Sequence, residues 1–174
     1  IEHMVDTVLY FDQSDSELRI LRSTKNRFGS IDEIGLFLMD GKGLKEVTNP
    51  SGIFLEKRKG EIPPGISIAT IYEGSRILMV EIQALTVPAK GSASRVYSDR
   101  IDSQRVSRVA AVLEKHGGIR FSDQDIYINI AGGLKISEVG IELPLALAIY
   151  SARTGLSLPA KLASAGELSL AGEI

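Results

Sequence analysis

Two β-rich runs, Ile66-Ser67-Ile68-Ala69-Thr70-Ile71-Tyr72 and Ile77-Leu78-Met79-Val80-Glu81-Ile82-Gln83-Ala84-Leu85, flank the polar segment Glu73-Gly74-Ser75-Arg76. A short polar segment that contains glycine is typical of a turn between two strands. The pattern therefore predicts an antiparallel β-hairpin over residues 66–85.

The sequence after this hairpin combines helical and strand patterns. Apolar residues recur at the spacing of one helix face at Val106, Val109, Ala110 and Leu113. Asp102 or Ser103 is the expected N-cap of this helix, and Gly117-Gly118 its end. Residues 126–130 predict a strand, and residues 143–152 are apolar on every side, which predicts a buried helix. The second part of the chain is therefore expected to be mixed α/β.

The sequence before the hairpin is strand-rich. Polar residues 12–17 separate the runs 5–11 and 18–22, which predicts a first hairpin, and further strands are expected at 34–39 and 44–47. Residues 57–65 combine charges with Pro63-Pro64 and Gly65, a composition typical of a linker. We therefore expect two units, residues 1–64 and 65–174. The final stretch, residues 168–174, predicts a hairpin that ends abruptly, so the second unit is expected to be C-terminally incomplete and the chain to be a fragment.

Composition limits the classes of function. The 174 residues are 44% hydrophobic and carry a net charge of −2, so any binding to nucleic acid depends on local basic patches. There is no cysteine, and the two histidines, His3 and His116, are far apart in sequence, so no metal site is expected. No apolar run has the length of a membrane span and no signal peptide is evident. A soluble cytoplasmic protein without membrane partners is the expectation.

The pentapeptide Lys25-Asn26-Arg27-Phe28-Gly29 places two cations at the end of a predicted strand. Residues i and i+2 of a strand face the same side, so Lys25 and Arg27 are expected to project together while Asn26 points away and Gly29 permits a turn. A lysine and an arginine side by side suit phosphate oxygens. A solvated basic strand end is the alternative interpretation.

A second concentration of positive charge lies in the second unit. Lys90-Gly91-Ser92-Ala93-Ser94-Arg95 is followed by further arginines at Arg100, Arg105 and Arg108. This arrangement predicts contact with a phosphate backbone, and a mobile solvated loop is the alternative. Lys135 follows the pair Gly132-Gly133, which suits either an anion site or a plain turn after a strand.

Several motifs of catalysis and nucleotide binding are missing from the sequence. It contains neither a Gly-x-x-x-x-Gly-Lys-Ser/Thr phosphate loop nor a Gly-x-Gly-x-x-Gly fingerprint, and no Gly-x-Ser-x-Gly elbow. Glu138 and Glu142 are better explained as charges at a helix start than as an acid/base pair. The sequence therefore shows no complete active site.

The chain resembles the RadA/Sms DNA-repair proteins of bacteria, of which the pentapeptide 25–29 is a hallmark. The likeness is carried by motifs along essentially the whole chain: Leu21-Arg22-Ser23-Thr24 before the pentapeptide, Glu33-Ile34-Gly35, Asn49-Pro50-Ser51, Val80-Glu81-Ile82-Gln83-Ala84-Leu85, Asp102 to Arg105, Val112-Leu113-Glu114-Lys115, Ala131-Gly132-Gly133 and Gly166-Glu167-Leu168-Ser169-Leu170-Ala171-Gly172-Glu173. The resemblance implies that residues 1–64 are the strand-rich tail of a RecA-like ATPase core. It implies that residues 65–174 are a Lon-protease-like α/β domain.

Family likeness also implies a function for the intact protein: an ATP-dependent helicase or branch-migration motor for branched DNA in repair and recombination. ATP and Mg would be bound mainly by residues upstream of this chain, and zinc only in an N-terminal part that is missing here. The expected partners are single-stranded and branched DNA, other copies of the protein in a homohexamer, and the recombinase RecA.

The resemblance implies roles for particular residues. Lys25 and Arg27 are expected to act catalytically in trans, on the γ-phosphate of ATP held by a neighbouring subunit. The Lon-like domain is expected to serve as a hexamer scaffold that binds DNA through Arg95, Arg100, Arg105 and Lys135.

Alignment with active Lon-type proteases places Gly140 at the position of the nucleophilic serine, and their companion lysine would lie beyond Ile174. Proteolysis is therefore not expected, because glycine has no nucleophile. The alternatives are an active Lon-like serine peptidase and a purely structural ring-assembly module.

Overall fold

The computed structural model describes residues 2–13, 18–31, 33–74, 76–91 and 93–174. These residues form two β-sheets, two long helices and several short helical turns. The mixed α/β class expected from the sequence is confirmed.

The first sheet contains four antiparallel strands that follow one another in chain order, after a 3-10 turn at Glu2–Met4. Its strands are β1 (Thr7–Gln13), β2 (Leu18–Asn26), β3 (Ile34–Asp40) and β4 (Gly43–Glu46). Alternation along β2 and β3 buries Leu18, Ile20 and Leu36 on one face, as a period of two residues requires. The predicted strands and the first hairpin are confirmed, and residues 14–17 of its turn lie outside the described residues.

The second sheet contains five strands and carries the predicted hairpin at its centre. In spatial order the strands are β7 (Val96–Ser98), β8 (Gln124–Ile130), β6 (Arg76–Pro88), β5 (Ile66–Glu73) and β9 (Ala163–Ser164). β5 and β6 pair antiparallel from Ile66 opposite Gln83 to Glu73 opposite Arg76. The edge strands β7 and β9 each pair parallel with their neighbour, and the sequence pattern predicted neither.

A short helix, α1 (Ser51–Phe54), connects the two sheets, and two longer helices cover one face of the second sheet. Helix α2 (Ser103–Gly117) starts at Asp102, whose side chain accepts a hydrogen bond from the backbone N–H of Arg105, and ends at Gly118. It buries Val106, Val109 and Ala110 as predicted, with Val112 as the fourth buried residue. Helix α3 (Glu142–Thr154) is largely buried and ends at Gly155. None of the described helices is long and apolar enough to cross a membrane.

The hydrophobic core is one cluster to which both sheets contribute. Leu18 and Leu36 of the first sheet belong to the same cluster as Val80 and Ile126 of the second, and Phe54 of α1 is completely buried in it. The predicted boundary at residues 64 and 65 falls between the sheets. Since the core is shared across it, the division into two units stays a prediction.

The C-terminal segment forms a turn rather than a paired hairpin. The N–H of Ser169 donates to the carbonyl of Glu173 at 2.9 Å, and the N–H of Gly172 to that of Ser169 at 3.0 Å. Within residues 165–174, all of which are described, no strand is formed. The turn of the predicted hairpin is therefore present, but residues 165–174 do not form its two paired strands.

Candidate functional site

The two cations of the pentapeptide border one surface depression at the open end of β2. Lys25 pairs with Val8 of β1, next to a bulge in the register, and Arg27 follows the last residue of the strand. The depression has a volume of about 630 Å³ and is also bordered by His3, Asp6 and Asn26. The structure therefore brings Lys25 and Arg27 to one place, although Asn26 borders the same depression rather than pointing away from it.

Arg27 is fixed at its backbone and exposed at its side chain. Its N–H donates to the carbonyl of Asp6 at 2.9 Å, and its Nη1 donates to Oδ1 of the same residue at 3.2 Å. The Arg27 side chain is 73% exposed. An exposed ion pair of this kind contributes little to stability, so the guanidinium can exchange Asp6 for another anion.

The turn after Arg27 is organised by Asn26. Its Oδ1 accepts a hydrogen bond from the N–H of Phe28 at 3.1 Å, and its Nδ2 donates to the carbonyl of Ser30 at 3.2 Å. Asparagine commonly closes turns by such bonds to its own backbone. The side chain of Phe28 is left exposed at the surface.

Three of the four predicted DNA contacts, Arg100, Arg105 and Lys135, lie in or beside the loop between β8 and α3. The N–H of Ile136 donates to the carbonyl of Arg100 at 2.8 Å, which places Arg100 beside Lys135. Arg105 donates from Nη1 to the carbonyls of Ser137 at 3.1 Å and Glu138 at 2.8 Å. Arg95 lies apart from them, at the opposite end of β7.

Arg105 is occupied inside the fold. Besides its two carbonyl partners, its Nε lies 3.7 Å from Oε1 of Glu142, and its side chain is only 17% exposed. Arg108 binds the same carboxylate, which also accepts a hydrogen bond from the N–H of Leu168 at 3.0 Å. The geometry gives Arg105 a packing role and disfavours it as a DNA contact. Glu142 lies in the first turn of α3, as predicted.

Gly140 lies in a 3-10 turn, Val139–Ile141, directly before α3. Its carbonyl accepts a hydrogen bond from the N–H of Gly166 at 2.8 Å, and a Cβ added to it would lie 3.3 Å from Oε1 of Glu138. Glu138 is itself engaged, since its Oε2 accepts from the N–H of Tyr72 at 2.7 Å. Gly140, which the predicted Lon-like resemblance aligns with a protease serine, therefore offers no hydroxyl and lies against a carboxylate.

The glycine pair before Lys135 has a packing reason. Gly132 has a φ of +75°, and a Cβ there would lie 2.7 Å from Cδ1 of the buried Phe54 ring and 3.1 Å from the carbonyl oxygen of Ile53. Lys135 itself is exposed and borders a small depression together with Glu73 and Glu138. The arrangement matches the interpretation of Gly132-Gly133 as a turn after a strand.

Replacing Gly132 by alanine is expected to lower the free energy of unfolding by about 1–3 kcal/mol, because it combines a positive φ with a clash against Phe54. Thermal unfolding of the full-length protein measures the effect. Gly41→Ala is the matched control, since a Cβ there meets no atom within 4 Å. Equal melting temperatures for the two variants would contradict the packing argument.

Two features were missed in the sequence. Glu81, only 1% exposed, accepts hydrogen bonds from both terminal nitrogens of Arg58 at 2.5 and 2.7 Å. Tyr97 and Tyr127 stack on the outer face of the second sheet. The sequence did contain a signal for each feature. Glu81 lies between the apolar residues Val80 and Ile82, which indicates a buried charge, and Tyr127 lies within a strand-like run.

The ion pair at Glu81 is part of a network between the linker and the second sheet. Glu81 also accepts from the N–H of Glu56 at 3.3 Å and from Nε2 of Gln83 at 2.8 Å. Burial by itself raises the pKa of Glu81, but these hydrogen bonds, above all that of Arg58, outweigh it and hold the pKa below its ordinary value. Glu81 is thus a buried charged group whose partner comes from the predicted linker.

Comparison with known proteins relates the chain to one family along its whole length. A family model described as subunit ChlI of Mg-chelatase matches residues 98–174. DNA repair protein RadA of Treponema pallidum (strain Nichols) is 54% identical over 174 residues, covering 100% of this chain and 38% of that protein. RadA of Escherichia coli (strain K12) is 43% identical over 175 residues, with the same shares of 100% and 38%. RadA of Bacillus subtilis (strain 168) is 49% identical over 132 residues, covering 75% of this chain and 29% of that protein.

The chain thus spans 38% of the length of the T. pallidum and E. coli proteins. The motifs that carried the resemblance, from residue 21 to residue 173, lie within the matched region. The likeness expected from the sequence is confirmed, and the chain belongs to the RadA family.

Proposed function

We propose that the chain acts in DNA repair, as part of a longer ATP-driven motor that works on branched DNA. The observation that carries this proposal is sequence identity along the entire chain, 54% to DNA repair protein RadA of T. pallidum and 43% to that of E. coli. The proposal goes further than this likeness in three respects. It includes the motor activity, assembly into a homohexameric ring, and single-stranded DNA, branched DNA and RecA as partners.

Within this proposal, Lys25 and Arg27 contact nucleotide bound by an adjacent subunit. Their common depression and the exposure of Arg27 support the role, since a lysine and an arginine together complement phosphate oxygens. The chain has no phosphate loop, so these residues fit only one side of a nucleotide site. Hydrolysis of ATP with Mg would drive the motor, and residues upstream of this chain would bind most of the nucleotide.

The second sheet and its helices form the DNA-binding scaffold. Arg100 and Lys135 are supported by their position on neighbouring segments joined by the Ile136–Arg100 hydrogen bond. Arg95 borders the same sheet at the other end of β7. Arg105 is the least supported of the four predicted contacts, because its guanidinium is occupied by Glu142 and two carbonyls.

This scaffold functions without proteolysis. Gly140 lies where the Lon-like alignment would place a serine, and its carbonyl is tied to Gly166. An acyl-enzyme cannot form at a residue without a side-chain nucleophile. The Lon-like identity of residues 65–174 is part of the proposal.

Replacing Arg100 and Lys135 together by glutamine is expected to weaken binding of duplex DNA by the full-length protein. Each lost phosphate contact reduces counterion release, so the slope of log affinity against log salt should fall by about 0.9 per contact, or about 1.8 for the pair. Fluorescence anisotropy with a labelled duplex at several salt concentrations measures both quantities.

The matched control is Lys45→Gln with Lys161→Gln, which makes the same change of net charge at two exposed lysines outside the loop. The control should keep the slope of the parent protein. An unchanged slope in the Arg100 and Lys135 variant would refute the assignment of these residues to phosphate contacts.

A further inference from the structure

The outer face of the second sheet carries an aromatic pair at its edge. Tyr97 of the edge strand β7 lies opposite Tyr127 of β8, which in turn lies opposite Leu85 of β6. The two rings are stacked, with centroids 4.5 Å apart and planes inclined by 8°. Tyr97 is 42% exposed and Tyr127 is 39% exposed, and Leu85 beside them is exposed as well.

Burial of the core does not require these rings. Ile126, Ile128 and Ile130 alternate with Tyr127 along β8 and are buried on the opposite face of the sheet, where the helices pack. A cross-strand aromatic pair stabilises a sheet modestly, and this is the purely structural explanation of the stack. The exposure of three large apolar side chains in one cross-strand row needs a further reason, since such patches commonly mark binding sites.

Hydrogen-bonding groups surround the stack. The Arg95 guanidinium lies against the Tyr97 hydroxyl, and this hydrogen bond raises the pKa of Arg95. On the other side, Nδ2 of Asn129 donates to Oε1 of Gln83 at 2.8 Å. A groove of about 610 Å³ runs along the tyrosines and is also bordered by Ser98, Asp99 and Ser103.

The charge around the stack suits an anionic ligand only on the Arg95 side. Asp99 borders the groove, and Asp125 accepts a hydrogen bond from the backbone N–H of Arg95 at 2.9 Å. The exposed guanidinium of Arg95 is therefore the group available for a phosphate, next to the ring of Tyr97. A tyrosine hydroxyl is neutral at neutral pH and does not repel phosphate. Burial and the neighbouring Tyr97 raise the pKa of Tyr127 further above its ordinary value.

We propose that Tyr97, Tyr127 and Leu85 form a stacking platform for the unpaired bases of single-stranded DNA, with Arg95 contacting an adjacent phosphate. The inference rests on the proposed DNA function. It names a ligand for a surface that is separate from Arg100 and Lys135. Unpaired bases stack on exposed aromatic rings irrespective of their sequence, whereas the bases of a duplex are already stacked within it. The platform is thus expected to select unpaired strands.

The test uses the full-length protein and fluorescently labelled oligonucleotides of one sequence as single-stranded DNA, single-stranded RNA and duplex DNA. Tyr97→Ala and Tyr127→Ala are each expected to weaken binding of single-stranded DNA about 5- to 140-fold, the loss associated with one stacked base. Duplex affinity should change less than twofold. Arg95→Gln should lower the salt slope for single-stranded DNA, whereas the tyrosine variants should preserve it.

Further variants separate stacking from folding. Tyr97→Phe and Tyr127→Phe keep the rings and should bind single-stranded DNA like the parent. Tyr127→Leu keeps apolar bulk on the sheet without an aromatic ring, so it should show the loss even if the alanine variant is destabilised. Tyr10→Ala, at an exposed tyrosine of the first sheet, is the matched control and should bind normally.

The outcomes are distinguishable. If the parent binds single-stranded DNA and Tyr127→Leu binds it equally well, the platform is refuted and the proposed DNA function stands. A Tyr127→Leu variant that loses RNA binding but keeps DNA binding refutes DNA as the ligand of the platform. If the parent binds none of the three oligonucleotides, the proposed function fails and the platform fails with it.

Discussion

Replacing Arg27 by alanine in the full-length protein is expected to lower DNA-stimulated ATP hydrolysis by about 10³-fold or more, the range found for arginine fingers. The guanidinium is 73% exposed and borders the same depression as Lys25. If Arg27 acts in trans as proposed, its removal leaves the transition-state charge on a neighbouring subunit's nucleotide without its counter-charge. Steady-state phosphate release in the presence of single-stranded DNA measures the loss.

Two controls separate this chemical role from the ion pair of Arg27. Asp6→Asn removes the negative charge from the 3.2 Å contact while keeping the guanidinium, so hydrolysis should persist and stability should change by less than about 1 kcal/mol. Mixing the Arg27→Ala protein with a protein disabled in its own phosphate loop should restore part of the activity if the residue acts in trans. Hydrolysis at the parent rate by Arg27→Ala would rule out the role.

Replacing Arg58 by alanine is expected to lower the free energy of unfolding by about 3–5 kcal/mol at neutral pH, because it leaves the charge of Glu81 buried without a counter-charge. Arg58 is the main donor to this carboxylate, with bonds of 2.5 and 2.7 Å. Denaturant unfolding of the full-length protein, followed by a probe in this region, measures the change. Adding Glu81→Gln to Arg58→Ala should recover much of the loss, since it removes the unpaired charge.

The pH dependence of this effect has a definite sign. In the parent protein the pKa of Glu81 is lowered, so its contribution to stability is present above the ordinary glutamate pKa and is lost as the pH falls through the lower folded value. Without Arg58, the strongest of the interactions that lower the pKa of Glu81 is lost, so the pKa is higher in the variant than in the parent, and protonation on acidification relieves the variant. The difference in stability between parent and variant should therefore shrink as the pH falls. A difference that is constant with pH would contradict the network.

Local sequence patterns were sufficient for most of the regular elements. Helix α2 could be predicted to its caps because an N-cap carboxylate, a 3.6-residue stripe and a terminal glycine all act within the helix itself. The central hairpin of the second sheet followed from two strand-like runs around a polar turn. The edge strands β7 and β9 were missed because three- and two-residue strands carry no measurable period.

The candidate sites were predictable only as charges and motifs. Lys25 and Arg27 were expected to lie together because a strand imposes the spacing, and they border one depression. Arg105 was expected to contact DNA because it belongs to a concentration of positive charge in the sequence, but its guanidinium is directed to Glu142, 37 positions further along the chain. Sequence cannot show which of several exposed arginines is occupied by a distant carboxylate.

The sequence alone determined the α/β class, the main strands and helices, the family and the pentapeptide that marks it, since each depends on residues close together in the chain. Tertiary structure decided which side chains meet: Arg58 with Glu81, Arg105 and Arg108 with Glu142, and Tyr97 with Tyr127. The physical reason is that these contacts depend on the register and packing of segments far apart in sequence. Local propensities do not specify that arrangement.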